Sequence, residues 1–177
     1  MAQAADESEQ PSSSTSQLVD EKPPEPAHNS ERLKRLNSQQ NERARTLFIY
    51  ARNLRAENHL KRAHEIFENY LILYPRHEWR FLALKECAKI SLLQGDRMQA
   101  VSYLLAAFRD SYGKEEGNLS YLEAGRILSE MGETRRAQDI FKELITMNPA
   151  SVTARKAEIE LNAIRYLHDE STVFEKE

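Results

Sequence analysis

Three alanines, Ala63, Ala100 and Ala137, stand 37 residues apart, and the residues around them recur with them. Each is followed four positions later by a bulky side chain, Phe67, Leu104 or Phe141. Each is preceded by a segment holding a second small residue, at Ala51, Ala88 and Gly125. Those segments read Leu47, Tyr50, Ala51, Leu54; then Leu84, Cys87, Ala88; then Tyr121, Ala124, Gly125, Leu128. Such spacings place the side chains in one stripe along an α-helix. A small residue in the stripe lets a neighbouring helix approach closely, and the bulky residue fills the space beside that contact. Between the two segments of each unit stand Asn58, Gly95 and Gly132, residues that enter the left-handed backbone ending a helix at little cost. Each unit is therefore expected to be a helical hairpin.

One hairpin cannot bury its own apolar face, and about three stacked repeats are needed to make a shared core. This chain has three. The order of small residue, bulky residue and closing proline (Pro75, Pro149) resembles the tetratricopeptide repeat (TPR) over residues 44–151. The resemblance implies an all-α fold, a right-handed stack of three TPR-like helical hairpins (an α-solenoid) with a C-terminal capping helix. The family unit is about 34 residues, so the longer spacing puts extra residues between hairpins, around Arg76–Arg80 and Gly113–Gly117. Tyr112 stands where the family has proline. Related helical-hairpin repeats, including those that bind RNA, stay open.

The flanks follow from composition and capping. Residues 1–29 are rich in Ser, Pro, Glu and Gln and hold almost no large apolar side chain, which predicts a disordered acidic tail. Ser30, followed by Glu31 and Arg32, is a good N-cap and predicts a helix start there. The repeat domain then runs over 30–167. Its last helix, Ser151–Leu167, carries Ala154, Ala157, Leu161 and Ile164 on one face and is expected to cover the end of the stack. The stretch 168–177 reads as a frayed acidic tail.

Chemistry leaves little trace. The chain has 177 residues, 40% of them hydrophobic, enough for one domain of ordinary size with tails. Its one cysteine excludes an internal disulfide. The first residues carry neither a basic start nor an apolar run, which predicts no signal peptide, no membrane insertion and a cytoplasmic protein. There is no glycine-rich phosphate loop, no nucleophile elbow and no metal box. Cys87 falls at a core-facing helical position and reads as a small buried hydrophobe. His28, His59, His64, His77 and His168 are scattered without metal-ligand spacing. Glu115 and Glu116 sit in an expected loop with no partner acid or base. No enzyme, cofactor or metal is expected. Trp79 is placed at the junction between the first two hairpins, where packing is its expected role.

What the resemblance implies instead is a groove lined by the first helix of each hairpin, in which a peptide or helix of another protein lies. One column along those helices reads Arg52, Lys89 and Arg126, each 37 residues from the next. A positive column favours an acidic segment or a C-terminal carboxylate. Phe48, Lys85 and Leu122 complete the expected partner-binding groove, with Ile49, Leu82 and Leu119 beside them and Glu86 and Glu123 between. Family members that clamp a chaperone tail use Lys, Asn and Arg at positions matched here by Phe48, Arg52, Glu86, Leu119 and Glu123, so that clamp is absent. The expected function is a non-catalytic scaffold or adaptor. Two rivals remain. Between Glu31 and Arg62 nine bases face three acids, a balance of +6 that suits nucleic acid; alternatively, the chain is a structural subunit joined to a larger assembly through the ends of its stack.

Overall fold

The computed structural model describes the backbone from Pro26 to Phe174 and the side chains from Asn29 to Tyr166. The expected N-terminal tail up to residue 25 and the last three residues lie outside the described residues. Seven α-helices follow in order: α1 (Pro26–Ala56), α2 (Leu60–Leu73), α3 (Arg80–Leu93), α4 (Arg97–Asp110), α5 (Glu115–Glu130), α6 (Thr134–Met147) and α7 (Val152–Phe174). The chain divides into two compact units, Met1–Asn37 and Ser38–Glu177. In the first, the described part is the opening stretch of α1, which begins at Pro26 and so carries Ser30 inside it instead of at its N-cap. Proline suits a first helical turn, where its missing N–H is not needed.

The 37-residue period governs helix ends. Helices α2, α4 and α6 are each 14 residues long and begin at Leu60, Arg97 and Thr134. Their partners α1, α3 and α5 end at Ala56, Leu93 and Glu130, in the same register. Each intervening turn closes alike. Asn58, Gly95 and Gly132 have φ of 65°, 82° and 81°, and the next residue's N–H donates back to Leu54, Ser91 or Leu128 at 2.8–2.9 Å. This is the bond that satisfies a carbonyl left over at a helix end. Asp96 also accepts from the backbone N–H of Gln99 at 2.9 Å and caps α4.

Variation is confined to the links between hairpins. The first link lies where the extra residues were expected, between Leu73 and Arg80. The second is shorter than expected: Glu115 and Glu116 form the first turn of α5, not a loop. Acidic groups complement the partial positive charge of a helix N-terminus, and Glu115 accepts the hydroxyl of buried Thr153 on α7. Gly117 makes the tight turn-in feasible, because a Cβ there would collide with the carbonyl of Ser111.

Each helix packs on the next from α2 through α7, and α7 also lies against α5. The small residues stand where helices meet: Ala51, Ala88, Ala63, Ala100 and Ala137 are all buried. At Gly125 a Cβ would lie 2.6 Å from Cε1 of Phe141. The core has two clusters. One joins α1 and α2 to Ala83, Cys87 and Ile90 of α3; the other joins Ala88 of α3 to α4, α5, α6 and α7. Tyr103 packs against both. Helix α7 keeps the period as well, since buried Ala157, Leu161 and Ile164 follow Ser120, Ala124 and Ile127 of α5 by 37 positions. It is the first helix of a fourth unit and continues past Leu167 to Phe174, no proline or glycine intervening.

Candidate binding surface

Two ion contacts set the register of neighbouring first helices. Arg55 of α1 meets Glu86 of α3 at 2.7 Å, and Arg126 of α5 meets Glu160 of α7 at 2.7 Å. In both, the cation belongs to the earlier helix and the carboxylate to the later one. Glu86 is only 8% exposed, and its other oxygen accepts from Lys89 at 3.0 Å. A cation thus faces each oxygen of this buried carboxylate, which offsets part of the cost of its burial.

The expected basic column is therefore largely neutralised from within. Lys89 serves Glu86 and Arg126 serves Glu160. Arg52, exposed one turn before Arg55, makes no ion pair among the described residues. Lys85, next to Glu86, makes none either, and its Nζ lies 5.9 Å from the centre of the Phe81 ring. Ile49, Leu82 and Leu119 are exposed on α1, α3 and α5.

Phe48 and Leu122 need correction, since both are core residues and cannot line a groove. Phe48 packs against Phe67, Tyr70 and Trp79 at centroid distances of 5.4, 5.7 and 5.1 Å. Leu122 belongs to the larger core cluster. The reason is helix rotation. Turning Ala51 or Gly125 toward the second helix of the hairpin carries the residue three positions earlier into the same junction. Lys85 shares that position but is only half-buried, its Nζ over the Phe81 ring.

Trp79 packs at the junction of the first two hairpins, within a network the sequence did not announce. Arg45 donates to Glu78 at 2.8 Å while its guanidinium lies 5.5 Å from the centre of the Trp79 ring. Their hydrogen bond holds the Glu78 carboxyl below its ordinary range and pushes Arg45 up. Behind them the Tyr70 hydroxyl meets Nδ1 of His77 at 2.6 Å, and the Trp79 backbone N–H donates to the same nitrogen at 3.1 Å. Nδ1 thus acts as acceptor, and the ring proton sits on Nε2. Burial lowers the His77 pKa and raises that of Tyr70. One signal was available: Phe67, Tyr70, Tyr74, His77, Trp79 and Phe81 crowd into 15 residues of the sequence.

The remaining candidates fall apart in space or into the core. Cys87 is fully buried, and burial raises its thiol pKa. Among the described residues no three His, Cys, Asp or Glu side chains converge as metal ligands would, and no helix is long and apolar enough to cross a membrane. The basic stretch from Arg32 to Arg62 is split between the two units, and Arg45 and Arg55 within it are engaged by Glu78 and Glu86.

No protein-family model matches the chain, and no curated protein matches it. Among solved structures, a single-substitution form of a Podosopora anserina protein, described as a kinesin light chain with nearly identical TPR-like repeats, superposes with a TM-score of 0.50. Successive helical pairs coincide over 70% of this chain at 16% identity. The fold is TPR-like. The chain spans 66% of that protein's length, and a second structure of the same protein gives a TM-score of 0.48 at the same identity and coverage. At such low identity the likeness concerns the backbone alone. Within the TPR-like stack, Arg52, Ile49, Leu82 and Leu119 are exposed on the first helices and Lys85 is half-buried.

Proposed function

We propose that the protein is a non-catalytic scaffold whose first helices hold a segment of a partner protein. The observation that carries this reading is the residue of charge and apolar surface left after internal pairing. Arg52 and Lys85 stand on neighbouring helices that the Arg55–Glu86 contact joins, and Leu82 and Leu119 are exposed on α3 and α5. Carboxylates meet cations and apolar side chains meet leucines, so the fitting ligand is an acidic, amphipathic segment. Lys89 and Arg126 contribute less, because a ligand would compete with Glu86 and Glu160 for them. A cytoplasmic setting accords with a single cysteine held as a buried thiol.

The test is a selection of peptides from a random display library on the full chain, followed by anisotropy titration of the enriched sequences. Acidic amphipathic peptides should be enriched. Their binding should be lost with the double reversal Arg52→Glu/Lys85→Glu and kept in Arg126→Glu. Enrichment of basic or uncharged peptides, or indifference to the double reversal, would refute the reading.

A further inference from the structure

The outer faces of α7 differ in chemistry. By the 37-residue register, the face of α7 that would receive a second helix carries Glu158, Asn162 and Arg165, where α5 carries Tyr121, Gly125 and Leu128 and α3 carries Leu84, Ala88 and Ser91. All three α7 side chains are exposed. That face is polar at those three positions, with Ile159, 68% exposed, beside them at the position of Leu122. The face that would receive the next first helix is different. Its stripe is Ala163 and Tyr166, both exposed, Tyr166 to 73%.

The same register names what should lie opposite. Arg55 and Arg126, the cations that reach the next first helix, correspond in α7 to Tyr166 and Ala163. Glu86 and Glu160, the carboxylates that receive them, both correspond in α1 to Ile49, which is 49% exposed. At the two ends of the stack both halves of the ion pair have thus been exchanged for apolar residues together. The stripe around Ile49, made of Thr46, Ile49, Tyr50 and Asn53, is exposed and uncharged. A cation at one end facing an apolar residue at the other would leave a charge to desolvate without compensation. Apolar on both ends leaves none.

We infer that the two ends of the stack bind each other and that the occupant of the α7 stripe is a second copy of this chain. Ala163 and Tyr166 of one copy pack on Ile49 and Tyr50 of the next, in the arrangement by which Arg126 reaches Glu160 and Arg55 reaches Glu86 within the chain. Such a contact is heterologous. Each copy keeps one open end, so association continues beyond the dimer.

Sedimentation velocity of the full chain, from low micromolar to about 0.5 mM so that a weak contact is populated, tests this with Ile49→Lys and Tyr166→Lys. The wild type should gain mass beyond the 20.5 kDa chain as concentration rises and should pass the dimer. Each variant alone should stay at single-chain mass. An equal mixture of the two should reach twofold mass and stop, because one intact end of each kind remains. Far-UV circular dichroism confirms folding, and Ile49→Ser with Tyr166→Ser replaces the pair should lysine reduce helicity. A wild type that stays at single-chain mass throughout overturns the inference. So does either variant that associates alone like the wild type, or a mixture that does not dimerise.

Discussion

Replacing Gly125 by alanine should destabilise the protein, although alanine is the better helix former. A Cβ on residue 125 would lie 2.6 Å from Cε1 and 3.1 Å from Cζ of Phe141, and 3.0 Å from Cγ2 of Ile140. Ordinary carbon contacts lie at about 3.5–4.0 Å, so the ring edge must retreat by roughly 1 Å. Phe141 is fully buried within the larger core cluster. Overpacking of this kind costs about 1–3 kcal/mol. Helix propensity returns about 1 kcal/mol. With the contact this short the upper part of the range applies, and the net loss is about 2 kcal/mol. For a slope of about 2 kcal/mol/M, the urea midpoint followed by circular dichroism falls by about 1 M. The second unit supplies the rescue. There alanine and leucine occupy the two positions, as Ala88 and Leu104, so Gly125→Ala combined with Phe141→Leu should be more stable than the sum of the single changes by about 1 kcal/mol. A midpoint that rises in Gly125→Ala, or strict additivity in the double variant, would refute the packing argument.

Three further expectations concern the hairpin junction, the core thiol and a cap. His77 has its pKa lowered by burial and, facing Tyr70, Tyr74, Glu78 and Arg45, uses Nδ1 as an acceptor. The unfolded chain therefore takes up this proton first, and stability should fall as pH drops through the ordinary imidazole range near about 6.5 toward the lower folded value. Urea midpoints between pH 8 and 5 should show that slope in the wild type and a shallower one in His77→Gln. The Cys87 thiol, buried and with its pKa raised, should react with a chromogenic disulfide only as fast as the protein opens, and a burst of labelling in native buffer would contradict its burial. Asp96→Ala removes the acceptor for the Gln99 N–H and should cost about 1 kcal/mol by urea unfolding, while Asp96→Ser should restore most of it.

The hairpins were legible because their cause is local and periodic. A small residue facing a bulky one every 37 positions admits few arrangements other than stacked helical pairs, and α2, α4 and α6 begin on that beat. The start of α5 was misread because Gly113 and Gly117 bracket three charged residues, a pattern that resembles a loop until the backbone of Ser111 is seen against Gly117. Ser30 misled for a related reason, since a capping residue marks a helix start only where the chain before it leaves helical geometry. The groove was legible as a column and not as a surface. Whether position 48, 85 or 122 faces inward depends on the rotation of the helix about its axis, set by packing against elements distant in sequence. Internal pairing of Lys89 and Arg126 depends on acids 3 and 34 residues away, a coincidence that periodicity does not encode.

Helix α3 sits between the two core clusters, giving Ala83, Cys87 and Ile90 to one and Ala88 to the other, with Tyr103 of α4 closing the gap. Nothing on α3 can loosen without exposing both sides at once. The ends of the stack have only one neighbour each, so thermal fraying, protease attack or a pulling force should peel them while the middle persists. Hydrogen exchange read along the chain should then form a single peak of protection over α3 and α4, and the protein would yield like a zipper opened from both ends, its last closed tooth at Tyr103.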